Sequence, residues 1–167
     1  MGLSGIFLLL FSGSIMGIDK DILQDKFRNE HQKAAINLMY TYGWITERSK
    51  EVFASEDITP QQFNILRILR GSFPEPLSTL QIRERMLDKM SDTSRIVDRL
   101  INKGLVKKGT CKKDRRLVDV MITDKGKKVL ERLDIREDEL DNIMGNLTKK
   151  EAAILSELLD KIRTANP

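Results

Sequence analysis

Across residues 19–54 the apolar positions Ile22, Leu23, Phe27, Ala34, Ala35, Leu38, Tyr42, Ile45, Val52 and Phe53 recur at helical spacing. No proline interrupts them, and Gly43 is the only glycine. The stretch predicts one long helix, or two in line. Its apolar patches need a surface to pack against, and in a chain this short a second subunit is a good candidate. Downstream the pattern breaks into shorter pieces. Thr59, Pro60 and Gln62 supply an N-cap, a first-turn proline and the partner of a capping box, so a helix starts there and is expected to stop at Gly71. The "FPEP" at 73–76 is a loop. Ser78 with Gln81 opens a short helix. Ser91 is expected to cap the next, which has Ile96, Val97, Leu100 and Ile101 on its apolar side and Asp92, Ser94, Arg95, Asp98, Arg99 and Asn102 facing away; Gly104 stops it.

The period then changes from 3.6 to 2. Residues 105–108 and 117–122 read as paired strands, with Val118, Val120 and Ile122 alternating against Leu117, Asp119 and Met121. Thr123 caps a further helix. Thr148 and Glu151 form a capping box for a last one through Ile154, Leu155, Leu158, Leu159 and Ile162. Short helices followed at once by a two-stranded hairpin make a winged helix-turn-helix. The expected fold class is mainly α with a small β-hairpin wing, a winged helix-turn-helix with a helical dimerisation region. The expected division is an apolar N-terminal extension at 1–17, a dimerisation helix at 18–57, the DNA-binding region at 58–126 and C-terminal dimerisation helices at 127–167.

Composition sharpens this. The 167 residues are 40% apolar, enough for one core. The net charge of +4 is unevenly spread: residues 83–128 hold fifteen Lys and Arg against seven Asp and Glu, a local +8, which leaves −4 for the rest. A segregated basic block suits a polyanion. With one cysteine, Cys111, and one histidine, His31, the chain has no intramolecular disulfide and no multi-histidine metal site. It has no paired nucleophile and base and no Gly-rich phosphate loop, so no catalytic residues, cofactor or metal are expected. These features fit a reducing cytoplasm. The apolar "GIFLLLF" at 5–11 lacks a basic segment before it and is about half the ~20 residues a membrane span needs, so residues 1–17 are read as an extension without stable membrane association.

In such a module the last helix of the trio enters the major groove. Arg95 can fork onto guanine, while Thr93, Ser94 and Arg99 suit phosphates. The hairpin tip is strongly cationic: Lys112 and Lys113 are generic phosphate contacts, and Arg115 or Arg116 is the cation for a narrow minor groove. Asp114 would hold that guanidinium in a bidentate pair and aim it. Cys111 beside these cations should be more acidic than an ordinary thiol. Tyr40, Tyr42, Trp44 and Phe63 form a candidate effector pocket, although dimer core is the plainer reading for this aromatic group. The rival reading is a winged helix that serves protein contacts without DNA readout, which would need the wing cations lost or balanced.

The segment "SRIVDRLINKGLVKKGTCKKDRRLVDVMITDKGKKVL" resembles the core of MarR-type bacterial transcription regulators, through its "DRL..KGLV", "DRR" and "V.IT.KG" features; "TPQQFNILRIL" and "PLSTLQIRERM" upstream fit the same pattern. The resemblance covers 24–161 and is most specific at 91–126. It implies a homodimer built by the first helix and the last two, bound to a pseudo-palindromic operator, usually as a repressor. It also implies release by a small aromatic or phenolic ligand. Ser94 and Arg95 fall on its base-contacting stretch, and Asp114 and Arg116 on the wing's Asp-x-Arg pair. Two departures stand out. Arg83 replaces a small residue, and "MLDKM" replaces a tight Leu-Gly turn, which predicts a longer connection between the two helices.

Overall fold

A computed structural model of the chain describes residues 17–110 and 118–164. The chain divides into two units, residues 1–43 and 44–167. The first holds helix α1 (Ile18–Asp21) and the start of α2 (Glu30–Ala54). A single unbroken helix is therefore not what forms. Leu23 has φ 53, a left-handed conformation that a right-handed helix cannot pass through. The chain restarts its helix where Asn29 Oδ1 accepts from the Gln32 amide at 2.9 Å, an N-cap the apolar pattern does not mark.

In the second unit the core gathers around α3 (Pro60–Ser72), whose Ile65, Leu66 and Leu69 are shut away from solvent. The expected capping box is formed in both directions: Thr59 Oγ1 accepts from Gln62 N, and Gln62 Oε1 from Thr59 N. Gly71 does not end this helix, which runs through Ser72. Pro74 ends it by forcing Phe73 out of the helical region, to φ −57 and ψ 136. Onto α3 pack α4 (Thr79–Arg85), α5 (Thr93–Asn102) and α6 (Asp124–Asp134), through Ile82, Val97, Leu100, Val129, Leu130 and Leu133.

Strands β2 (Val106–Thr110) and β3 (Val118–Ile122) form the expected antiparallel hairpin, in a register running from Val106 opposite Ile122 to Thr110 opposite Val118. Val120 and Ile122 face the core, as the alternation predicts. A third strand, β1 (Leu77–Ser78), lies against the other edge of β3, with Leu77 opposite Val120. Two residues are too few to show a period, so the alternation of apolar and polar positions does not mark them. Beyond α6 come α7 (Glu137–Asp141), a 3-10 turn (Asn142–Met144) and α8 (Lys149–Arg163), which opens with the expected Thr148–Glu151 capping box.

The connection from β3 into α6 is tight. Thr123 Oγ1 accepts from Gly126 N at 3.1 Å, and Thr123 N donates to the Leu105 carbonyl. A Cβ on Gly126 would sit 2.3 Å from that same carbonyl oxygen. Ion pairs then tie α6 down. Arg70 forks onto Asp134, and Arg132 Nε reaches Glu56 Oε1 at 2.8 Å. The Arg70 guanidinium holds the Asp134 carboxyl below the usual carboxylate range, and Arg132 does the same for Glu56.

Three expected outcomes follow. Gly126→Ala should destabilise by about 1–3 kcal/mol or more, because backbone must move. Gly71→Ala, where an added Cβ meets nothing, should be neutral or stabilising by up to ~1 kcal/mol. Urea unfolding of both variants against the parent checks this. Depressed carboxyl pKa values stabilise the fold above the unfolded values near about 4, and this contribution is lost as pH falls through the folded ones. The urea midpoint should therefore drop more steeply below about pH 4 in the parent than in Asp134→Asn.

Candidate nucleic-acid interface

Helix α4 begins at a second capping box, with Ser78 Oγ accepting from Gln81 N at 3.2 Å and Gln81 Oε1 from Ser78 N at 2.8 Å. Between α4 and α5 lie seven residues, 86–92. They carry their own supports. Met86 is buried, Asn64 Oδ1 accepts from Leu87 N at 2.9 Å, and the Asp88 carboxylate accepts from Ser91 Oγ and Met90 N. The Ser91 hydroxyl is the larger reason the Asp88 carboxyl sits below its ordinary range. This bond also corrects the expected cap. Ser91 is engaged with Asp88, and the N-cap of α5 is Asp92, whose Oδ1 accepts from Arg95 N at 3.1 Å. A carboxylate there also interacts favourably with the helix dipole.

Helix α5 separates its two faces sharply. Val97 and Leu100 are 0% exposed, while Ser94, Arg95, Asp98, Arg99 and Asn102 face solvent. Thr93 does not join them: it is buried, and its hydroxyl donates to Met86 Sδ at 3.3 Å, so it faces the core rather than a duplex. Asp98 is neutralised by Lys108 Nζ at 2.6 Å, a contact between α5 and β2 that links helix to wing base. Lys108 lies on a different element ten residues on, so no spacing rule reveals it. Arg95 and Arg99 have no side-chain partner among the described residues, which leaves two uncompensated guanidinium groups on one exposed helix face. Gly104 has φ 70 and ends the helix as expected.

The wing tip, with Cys111, Lys112, Lys113, Asp114, Arg115 and Arg116, lies outside the described residues. Its strands are described up to the Thr110–Val118 pair. Of the aromatic group, Tyr40 and Tyr42 belong to the first unit and are exposed. In the second unit Trp44 is also exposed, with the Arg48 guanidinium 4.4 Å from its ring centre. Phe63 is half-buried and stacks on Phe53 at 4.6 Å, which is core packing. His31 is exposed. Among the described residues no helix is long and apolar enough to cross a membrane, and no acidic, Cys and His cluster could hold a metal ion.

A short helix pair, a one-sided basic helix and a three-stranded wing define a winged helix-turn-helix module. Comparison with known proteins gives the family. The model for the MarR family matches residues 56–117. The MarR transcription factor of Planctomyces limnophilus is 33% identical, spans 84% of this chain and all of that one, and superposes with a TM-score of 0.61. The HTH-type transcriptional regulator MhqR of Bacillus subtilis is 27% identical over 133 residues, which is 78% of this chain and 89% of that protein. A mutant MarR of E. coli complexed with operator DNA shares the fold, with a TM-score of 0.73 at 24% identity over 83% of this chain and 99% of that one. The chain belongs to the MarR family. It is a transcription regulator of the DNA-binding, winged helix-turn-helix kind and not an enzyme.

The cap assignment has a direct check. Asp92→Ala should lower stability by about 1 kcal/mol, as loss of an N-cap does. Ser91→Ala, which removes only a hydroxyl from the turn, should cost less than half as much in the same denaturation experiment.

Proposed function

We propose that the protein is a homodimeric repressor that binds a pseudo-palindromic operator in double-stranded DNA, acting in the cytoplasm. The observation that carries the reading is the pair of arginines, Arg95 and Arg99, which have no side-chain partner among the described residues and stand on the open face of α5, a helix whose other face buries Val97 and Leu100. Arg95 would read base edges near the helix start, and Ser94 and Arg99 would meet the backbone. Lys112, Lys113, Asp114, Arg115 and Arg116 would carry the wing into the neighbouring minor groove, with Arg116 the inserted cation. The E. coli protein that shares this fold with operator DNA bound supports this arrangement.

Helix α8 supports the dimer. None of its residues is buried, and Ile154, Leu155, Leu158 and Ile162 stand 36–68% exposed. In the proposed division, 18–57 and 127–167 pair the subunits and 58–126 holds the DNA. Trp44, exposed as it is, supplies a face on which a small aromatic effector would stack, and its binding would release the operator.

The test is a salt titration of binding to the DNA upstream of the protein's own gene and to a random duplex. With about 6–10 phosphates contacted, log K should fall steeply with log salt, and the upstream DNA should be preferred. Arg95→Ala should weaken specific binding by about 1–3 kcal/mol and relax the preference, while Arg116→Ala should lose most of the affinity. Weak binding to both duplexes, with a shallow slope and unchanged variants, would sink the reading in favour of protein contacts. Leu158→Glu should give monomers in sedimentation if α8 pairs the subunits.

A further inference from the structure

A small cleft of about 270 Å³ opens between α4 and the first turn of α5. Its lining includes Thr79, Leu80 and Arg83 from α4, Ser91 and Asp92 from the end of the connection, and Ser94 from α5.

Arg83 is the residue here that the fold does not account for. It is exposed and has no side-chain partner among the described residues, although the Asp92 carboxylate lines the same cleft. Asp92 is engaged with its own helix, where its Oδ1 accepts from Arg95 N at 3.1 Å. The Ser91 hydroxyl donates to Asp88. The Thr79 and Ser94 hydroxyls, like Arg83, have no hydrogen-bond partner among the described residues. One guanidinium and two hydroxyls around a single small space are donors in search of an oxyanion. The charge of the lining says which kind. Arg83 and Asp92 cancel, so a free phosphate dianion would find no net cation there. A phosphodiester carries one charge and is brought to the cleft by contacts made elsewhere along a duplex. Its neighbouring deoxyribose presents carbon, and Leu80, 52% exposed, presents an apolar side chain on the same wall. The resemblance to the family leads to a small residue at position 83, so this cation belongs to the chain itself.

We propose that the cleft seats one phosphodiester of the DNA strand bordering the groove entered by α5, with Arg83 as its cation and the Thr79 and Ser94 hydroxyls as further donors. The seat holds any duplex, whatever its base sequence. It rests on the reading that places α5 in the major groove, and it adds a contact from α4 that neither α5 nor the wing supplies.

The test uses the full chain and two duplexes, the DNA upstream of the protein's own gene and a random sequence. Arg83→Gln should weaken binding to both alike, by about fivefold, and make the slope of log K on log salt shallower by about 1. Arg83→Lys keeps the charge and should keep the slope. Arg85→Gln removes the same charge from α4 outside the cleft and should change affinity less than twofold. Neutral methylphosphonates placed singly along the upstream duplex should reveal a position that weakens the parent but not Arg83→Gln. Inorganic phosphate at constant ionic strength should weaken DNA binding less than twofold. Unchanged affinity and slope in Arg83→Gln overturn the proposal and leave the operator reading standing. A loss confined to the upstream duplex also overturns it, because Arg83 would then read a base. An equal loss in Arg85→Gln would mean diffuse charge, and strong competition by inorganic phosphate that Arg83→Gln removes would mean a free-anion site; either result overturns it. Equal binding of the two duplexes by the parent, with the Arg83→Gln loss intact, counts against the operator reading alone.

Discussion

Everything exposed on α5 is held in place by what the same helix hides. Val97 and Leu100 lose all contact with solvent against α3 and α4, and Thr93 turns its hydroxyl to Met86 rather than to water. Burying two such aliphatic side chains contributes about 3–6 kcal/mol, far more than any exposed ion pair here. That anchoring lets the opposite face carry guanidinium groups without side-chain partners among the described residues. A helix fixed by its polar contacts would have to spend them on the protein itself.

The charges are sorted by the same logic. Arginines that brace the fold are paired: Arg70 and Arg67 with Asp134, Arg132 with Glu56, Arg136 with Glu139 and the Ser55 hydroxyl. These pairs join α3 or the turn after α2 to α6 or to the N-cap of α7, or, as Arg136–Glu139 does, lie at the start of α7. On α5 the one acidic side chain of the open face, Asp98, is taken by Lys108, so it does not quench Arg95 or Arg99. Within the basic block at 83–128, Lys103, Lys108 and Lys127 are paired with Asp57, Asp98 and Asp124, and the cations left over suit a polyanion.

Much of this was legible before the fold. The capping boxes at Thr59, Ser78 and Thr148 have local signatures, and each sits where its spacing places it. The switch from period 3.6 to period 2 locates the wing strands. What escaped was set by contacts distant in sequence or by choices among near-equal neighbours. Asp92 and Ser91 both make good caps, and only the Asp88 carboxylate, by engaging Ser91, decides between them. Gly71 signals a helix end more loudly than Pro74 does, but a glycine permits a stop while a proline imposes one. Leu23 in a left-handed conformation carries no mark in an apolar helical pattern.

The small strand β1 changes what kind of mechanical object the wing is. A hairpin attached at one edge alone would be a flap; here β3 has neighbours on both sides, and β1 runs directly into the first turn of α4. Five-residue strands reach about 17 Å. A tilt of ~10° at a loose root would therefore swing the far end through about 3 Å, the span of a whole hydrogen bond. Clamped by β1, the hairpin behaves as a short cantilever, and its aim is referred to the same rigid body that carries α5. Two residues of strand thereby tie the base of the hairpin and the start of α4 into one piece.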